Sequence, residues 1–558
     1  MCKSIFLSCN AKQFRSIFFF IFLFFIFRQP IIAQKYEFTH DDTLRGSITA
    51  ERAWWDLQFY HLRVAVSPQD SSLTGSTEIR YKVLLPRQTI QIDLQRPLNA
   101  VKILQDNQEL AFVRDGNAFL VQLQKPQKVG SVETITFFYT GRPRVARRPP
   151  WDGGLTWKKD SQNNWFVATS CQGLGASAWW PCKDHMADEP DSMAISVTVP
   201  APLTGVSNGR LRHVTDNQNG TRTFDWYVQN PINNYGVNLN VANYVHWNDS
   251  YAGEKGPLDL SFYALPANEA KARQQFMQSK TMLQAFEHWF GPYPFYEDSY
   301  KLVETPYLGM EHQSSVTYGN GYQNGYLGTD LSGTGWGLKW DFIIIHESGH
   351  EWFANNITHK DAADMWVHEG FTNYSECLYT EFFYGKEAGA AYVIGTRKNI
   401  RNDKPIIGIY NVNRSGSSDM YYKGGNMLHT IRQIVNDDQR WRRILRGLNQ
   451  TFYHQTVTTA QIEDYMSQQA GIDLTKVFDQ YLRDVRVPVF EYKIADKKLT
   501  YRWANCVDGF AMPFKISTQD GRKFRFINPT TNWQTLKIGL ADEVVMDNNF
   551  YVNFLRVP

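Results

Sequence analysis

A change of hydrophobic period part-way along the chain limits the fold more than any other feature. From about residue 36 to 250, apolar and polar residues alternate with period two in "HLRVAV", "STEIRYKVLL", "TIQIDLQ", "VETITFFYTG", "AISVTVP", "TRTFDWYVQ" and "GVNLNVANYVHW". Alternation puts successive side chains on opposite faces of a strand, so these segments, bounded by Gly, Pro, Asn and Asp, predict a large antiparallel β domain. After a last strand, "LDLSFYAL", the stretch "ANEAKARQQFMQSKTMLQAFEHWFG" places Phe276, Leu283, Phe286 and Phe290 at helical spacing and stops at Gly291. A mainly helical domain is expected over 251–487, with "SYKLVET" as a strand and "GGNMLHTIRQIV" and "TAQIEDYMSQQAG" as further helices. From 488 to 558, "VPVFEYKI", "KLTYRW", "PFKIST", "KFRFINP" and "TLKIGL" read as a small C-terminal β module. The expected architecture is α+β and multidomain, because 558 residues, 43% of them hydrophobic, exceed what one core holds.

The first 33 residues follow neither period: Lys3, Lys12 and Arg15 lead into the apolar run "IFFFIFLFFIF" at 17–27, then "RQPIIAQ". A charged start, a short apolar run and a small residue mark a secretory signal peptide, with cleavage expected after Ala33. The run is shorter than the roughly 18 to 20 residues that span a bilayer, so no stable membrane span is expected after cleavage. The mature chain is expected in a periplasm or outside the cell, with surface attachment left open. A net charge of +3, with no basic run or basic aromatic stripe, gives no case for nucleic-acid binding. Cys2 and Cys9 fall in the signal, while Cys171, Cys182, Cys377 and Cys506 are too sparse for a disulfide framework, so buried thiols or one bridge are both allowed.

The chemistry centres on "DFIIIHESGHEWFANN" at 341–356. Residues four apart share a helix face, so His346 and His350 can bind one metal ion, with Glu347 beside the metal as a general base toward an attacking water. The apolar "DFIII" gives this helix a side to bury, and a metal site needs such a support. In "DAADMWVHEGFTNYSE" a third ligand stands ready: Glu369 lies far enough beyond His350 for a loop and a returning helix. Two His and one Glu leave a coordination position open, the arrangement of a catalytic zinc, one per chain. Metal-bound His usually donates its other nitrogen to a carboxylate or carbonyl; Glu376, on the same helix face as Glu369, is the first candidate, ahead of Asp364 and Asn373.

Taken together, HESGHEWF at 346–353, WVHEGF at 366–371, GMEH at 309–312 and YYKG at 421–424 resemble the zinc aminopeptidases related to membrane alanyl aminopeptidase, within the gluzincins. The resemblance implies zinc on His346, His350 and Glu369, Glu347 as base, and a thermolysin-like catalytic domain. It also separates an exopeptidase from an endopeptidase, which the metal motif alone cannot do. The Glu of the family's GxMEN motif binds the substrate's ammonium; Glu311 in GMEH stands there, with Gly309 and Met310 lining the same edge. A charge pair in a secluded site discriminates against chains that lack a free end. Here His312 stands where the family usually has Asn, and Leu308 precedes the Gly.

The resemblance further implies that Gln172 contacts the amine and that Tyr421, in the register Tyr-x-Lys-Gly, donates to the developing oxyanion in preference to Tyr422. The stretch "WWPCKDHMADEP" near Gln172 resembles the family's WFPCxDxP-like segment. His368, again where the family has Asn, is not expected as a ligand, because neighbouring helix residues face different ways. Many relatives of that family continue into a large helical domain closing over the cleft, which is not expected within these 558 residues. The implied activity is an exported zinc aminopeptidase acting on peptides with a free N-terminus by metal-activated water. A zinc endopeptidase, an epoxide-opening hydrolase of the same family and a binding protein with a dead site are the rival readings.

Overall fold

The computed structural model describes residues 37–558 apart from 519–520, 522 and 539–542. The signal-peptide expectation for residues 1–33 lies outside the described residues. Among those described, no helix is long and apolar enough to cross a membrane.

The period-two segments form an eight-stranded sheet in the order Arg210–Asp216, Thr221–Val228, Ser192–Pro200, Trp55–Ser67, Ser72–Val83, Val132–Gly141, Asn99–Gln105, Gln108–Glu109. In Trp55–Ser67 the buried Leu62, Val64 and Val66 alternate with the exposed Arg63 and Ala65, which is the alternation read from the sequence. One pairing departs from the antiparallel expectation: Trp55–Ser67 runs parallel to Ser192–Pro200, with Leu62 opposite Ile195. Alternation sets which face is buried and says nothing of strand direction. A four-stranded sheet (Thr204–Val206, Asn240–Ala242, Trp165–Ser170, Gly154–Lys159) and a three-stranded one (Thr89–Asp93, Ala118–Gln122, Ala111–Asp115) contribute to the same core. The loop after Trp165–Ser170 carries Gln172 and then buries Trp179, Trp180 and Cys182; Asp93 N–H donates to the Cys182 carbonyl at 2.8 Å and pins it.

A five-stranded sheet follows, in the order Val245–Gly253, Gly256–Ala264, Tyr300–Glu304, Val316–Tyr318, Gly309–Met310. Its first hairpin straddles residue 250. Gly309–Met310 is an edge strand, antiparallel to Val316–Tyr318. Against this sheet pack the helices α1 (Gln278–Phe290) and α2 (Phe342–Gly349); α3 (Trp366–Tyr384) packs on α1 and α2, and α4 (Tyr422–Val435) on α3. α1 stops at Gly291, whose φ of 97° a side chain would resist. The C-terminal strands do not form a separate core. Phe490, Trp503, Phe514 and Phe550 join the apolar cluster of the helices, and the Arg397 guanidinium donates to the carbonyls of Asn548 and Asn549 at 2.9 and 3.2 Å. All four described cysteines are free, buried thiols.

Candidate active site

α2 begins at Asp341 because that side chain caps it: Oδ1 accepts from Ile343 N–H at 3.0 Å and Ile344 N–H at 3.3 Å. The cap is itself held, since Tyr318 OH and Gln275 Nε2 donate to Oδ2 at 2.7 Å and Asn320 Nδ2 to Oδ1 at 2.9 Å. Ile343, Ile344 and Ile345 bury one side of the helix, and His346, Glu347 and His350 line a cavity of about 880 Å³. Past His350 the helix breaks at Phe353, which turns the Phe353 carbonyl to within 3.0 Å of His350 Nδ1.

α3 returns Glu369 to the two histidines, with Oε2 at 3.7 Å from His346 Nε2 and 3.4 Å from His350 Nε2. All three side chains are buried. The outer nitrogens are spoken for: His346 Nδ1 lies 2.7 Å from Glu376 Oε1, and His350 Nδ1 faces the Phe353 carbonyl and, at 3.0 Å, Thr372 Oγ1. With their protons on Nδ1, both rings present acceptor Nε2 atoms inward. Glu369 Oε2 is a third acceptor, buried and without a hydrogen-bond donor among the described residues. Three converging acceptors with nothing to donate to them require a cation. Two nitrogens, one carboxylate oxygen and no thiolate fit zinc with a position left for substrate. Burial alone would raise the Glu369 carboxyl, but His350 and His346 beside it hold it well below the usual carboxylate range.

Glu347, Glu311 and His350 bring one ligand atom each to within 4.8 Å of one another. Burial pushes the Glu347 carboxyl up to about 7, against the pull of His346 and with the repulsion of Glu311. Glu311 sits just past the edge strand, only 3% exposed, and accepts from Tyr235 OH at 3.1 Å. Burial raises its carboxyl, opposed by His350 and helped by Glu369. Gly309 and Met310 line the cavity as the edge strand itself. A Cβ at Gly309 would stand 2.5 Å from Ile343 Cγ2 and 3.3 Å from Glu347 Cγ, so only glycine lets this strand approach α2 so closely.

The Tyr421 ring stacks 6.1 Å from that of His346, and burial together with the charges of Glu369, Glu311 and Glu347 keeps its phenol protonated well above the usual range. The charge that acts most on Tyr422 is instead that of Glu376. Gln172 lines the cavity, but its Nε2 donates to Glu369 Oε1 at 2.7 Å, so its nearest partner is the metal-site carboxylate rather than Glu311. Asn373 does not meet a histidine; its Nδ2 donates to Glu376 Oε1 at 3.1 Å, one step further from the metal donors. Asp364 is not there. Its oxygens accept from Tyr410 OH and Thr459 Oγ1 at 2.6 Å and from Thr459 N–H at 3.2 Å, tying down the start of the helix Thr459–Ala470. His312 turns away, Nδ1 lying 3.3 Å from Thr317 Oγ1, and burial lowers its pKa to about 3. His368 is no ligand: its Nε2 accepts from His359 N–H at 2.9 Å and its Nδ1 faces Tyr235 OH at 3.5 Å.

Three supporting residues escape the sequence reading. Thr372 stands one helical turn beyond Glu369, a spacing that signals a shared face; Tyr235 and Tyr392, which donates to Glu376 Oε2 at 2.7 Å, carry no local signal.

A donor set of two His from one helix and a Glu from the next, with one buried carboxylate between the ligands and another just past a bordering strand, is that of a metallopeptidase. Residues 57–235 match the peptidase M1 N-terminal domain and residues 275–481 the peptidase family M1 domain. The chain belongs to peptidase family M1. Leucyl aminopeptidase of Saccharolobus solfataricus is 20% identical over 62% of this chain and 44% of its own length, and rat (Rattus norvegicus) aminopeptidase B is 23% identical over 72% and 62%. The chain thus spans less than half of the first of these relatives. In fold it resembles a mutant M1 zinc metallopeptidase of Deinococcus radiodurans bound to a Tyr-Ser-Ala substrate, with a TM-score of 0.64, 21% identity, and coverage of 78% of this chain and 95% of that one.

Proposed function

We propose that this protein is a zinc-dependent aminopeptidase that removes single residues from the free N-termini of peptides. The observation that carries this reading is Glu311, a buried carboxylate that meets one side-chain donor among the described residues, Tyr235, and is clustered with Glu347 and His350. A substrate ammonium supplies the charge and the donors that this carboxylate lacks. His346, His350 and Glu369 hold the zinc, which when bound polarises the scissile carbonyl and makes water a nucleophile at neutral pH.

The chain's own groups do the rest. Glu311 fixes the amine and thereby the bond that is cut. Glu347 takes the proton of the attacking water and passes it to the departing nitrogen, a task suited to a carboxyl pushed up to about 7. Tyr421, still protonated, donates to the oxygen that gains charge in the transition state. Gln172 and Glu376 keep Glu369 and His346 in place. We also propose export through the secretory route, on the signal-like residues 1–33, which N-terminal sequencing of the mature protein tests.

The test of the activity is hydrolysis of aminoacyl anilides and short peptides with free and acetylated amines, by the wild type and by Glu311→Ala. Cleavage confined to free amines and lost in Glu311→Ala is expected. Cleavage of acetylated peptides would make the protein an endopeptidase and remove the role given to Glu311.

A further inference from the structure

The cavity holds its three acids, Glu311, Glu347 and Glu369, around the metal donors, yet two cations, Lys398 and Arg401, also line it. Both are exposed, and among the described residues neither has a salt-bridge partner. Their backbone is nevertheless fixed. Asn399 Nδ2 donates to the Leu331 carbonyl at 3.2 Å, and the buried Asp419 accepts from the backbone N–H of Arg401 at 2.9 Å and of Asn402 at 2.6 Å. Lys398 Nζ rests on the loop at Gly333, where an added Cβ would meet it at 2.5 Å. Asp419 lies just before Tyr421, so the segment that bears the cations is tied to the one that bears the oxyanion donor.

We infer that Lys398 and Arg401 form a carboxylate subsite that takes the C-terminal end of a short peptide, which makes oligopeptides with a free carboxylate the preferred substrate class. The inference rests on the aminopeptidase reading and sharpens it. A cleft with acids around the metal and unpaired cations on one wall has the charge order of a zwitterionic peptide bound by its amine. Each exposed pair contributes modestly, and two acting on one carboxylate favour an acid over its amide by about tenfold.

The experiment measures kcat/KM for tri- and tetrapeptides, all with free amines, as C-terminal acids and as C-terminal amides. The wild type is expected to prefer the acids by about tenfold at low salt, with the preference shrinking as salt screens the pair. The double variant K398A/R401A is expected to cleave acid and amide alike, and Lys398→Arg to keep the preference. Equal rates on acid and amide in the wild type, or a preference that survives the double variant, overturn the subsite while leaving the aminopeptidase intact. Failure of the wild type to cleave any free-amine peptide or anilide overturns both.

Discussion

Replacing Glu376 by Gln removes one charge behind the metal donors with almost no change of volume. Glu376 is fully buried; its Oε1 lies 2.7 Å from His346 Nδ1 and 3.1 Å from Asn373 Nδ2, and its Oε2 accepts from Tyr392 at 2.7 Å. A hydrogen bond to a charged group contributes about 1.5–3 kcal/mol, and Gln keeps a neutral acceptor, so about 1.5–2.5 kcal/mol is lost. At about 1.4 kcal/mol per factor of ten, zinc affinity falls roughly 10- to 60-fold, inside the range typical of partners of metal-bound His. Competition with a chromophoric chelator at neutral pH measures this, with far-ultraviolet dichroism as a check of folding. Asp364→Asn is the contrast: it weakens the hold on the Thr459 N–H and hydroxyl at the start of that helix and lowers stability by about 1 kcal/mol, but leaves zinc affinity unchanged. Wild-type zinc affinity in Glu376→Gln would refute the argument that Glu376 sets the proton on His346 and turns its Nε2 inward.

Tyr421→Phe keeps the ring beside His346 and deletes the donor, so kcat is expected to fall about 100- to 1,000-fold with KM nearly unchanged in steady-state kinetics; a change confined to KM would place the phenol on the ground state instead. Lys301 is buried with its ammonium on the Gly209 carbonyl, and burial lowers its pKa from 10.5 to about 7. Between those values the unfolded chain binds this proton and the folded protein does not, so stability rises as pH rises across the window and is lost as pH falls through it. Relative to Lys301→Met, the wild type should gain about 2–3 kcal/mol between about pH 7 and 9 in urea unfolding, and a difference flat with pH would contradict it.

What could be read before the structure was whatever a local period carries. His346, Glu347 and His350 follow one helical spacing, and Glu369 and Glu376 share a face of the next helix. The strands of the first domain were legible for the same reason. What could not be read depends on chain segments meeting across long separations. Tyr235 reaches Glu311 across 76 residues and Gln172 reaches Glu369 across 197. No period encodes such meetings. Asp364 shows the converse error: proximity in sequence to WVHEGF suggested a role behind the metal, yet the side chain faces the Thr459 helix on the other side. The parallel pairing of Trp55–Ser67 with Ser192–Pro200 is of the same kind, since strand direction follows from the connection and not from the alternation.

The charge layout of the site supports the proposal that it takes a metal ion and a substrate amine together. Glu311, Glu347 and Glu369 are buried together, and their mutual repulsion, added to burial, raises the carboxyls of Glu311 and Glu347, whereas Glu369, which faces both imidazoles, is held low. A divalent cation on the His346, His350 and Glu369 donors would offset most of that charge and still leave Glu311 with Tyr235 as its side-chain donor among the described residues. On the proposed reading a free ammonium completes it. An acetylated or internal peptide nitrogen brings neither the charge nor the three donors, and it would also seal Glu311 from water. On that proposal, discrimination against such substrates comes mainly from the cost of leaving a buried carboxylate unpaired, a penalty larger than the net worth of an ordinary hydrogen bond.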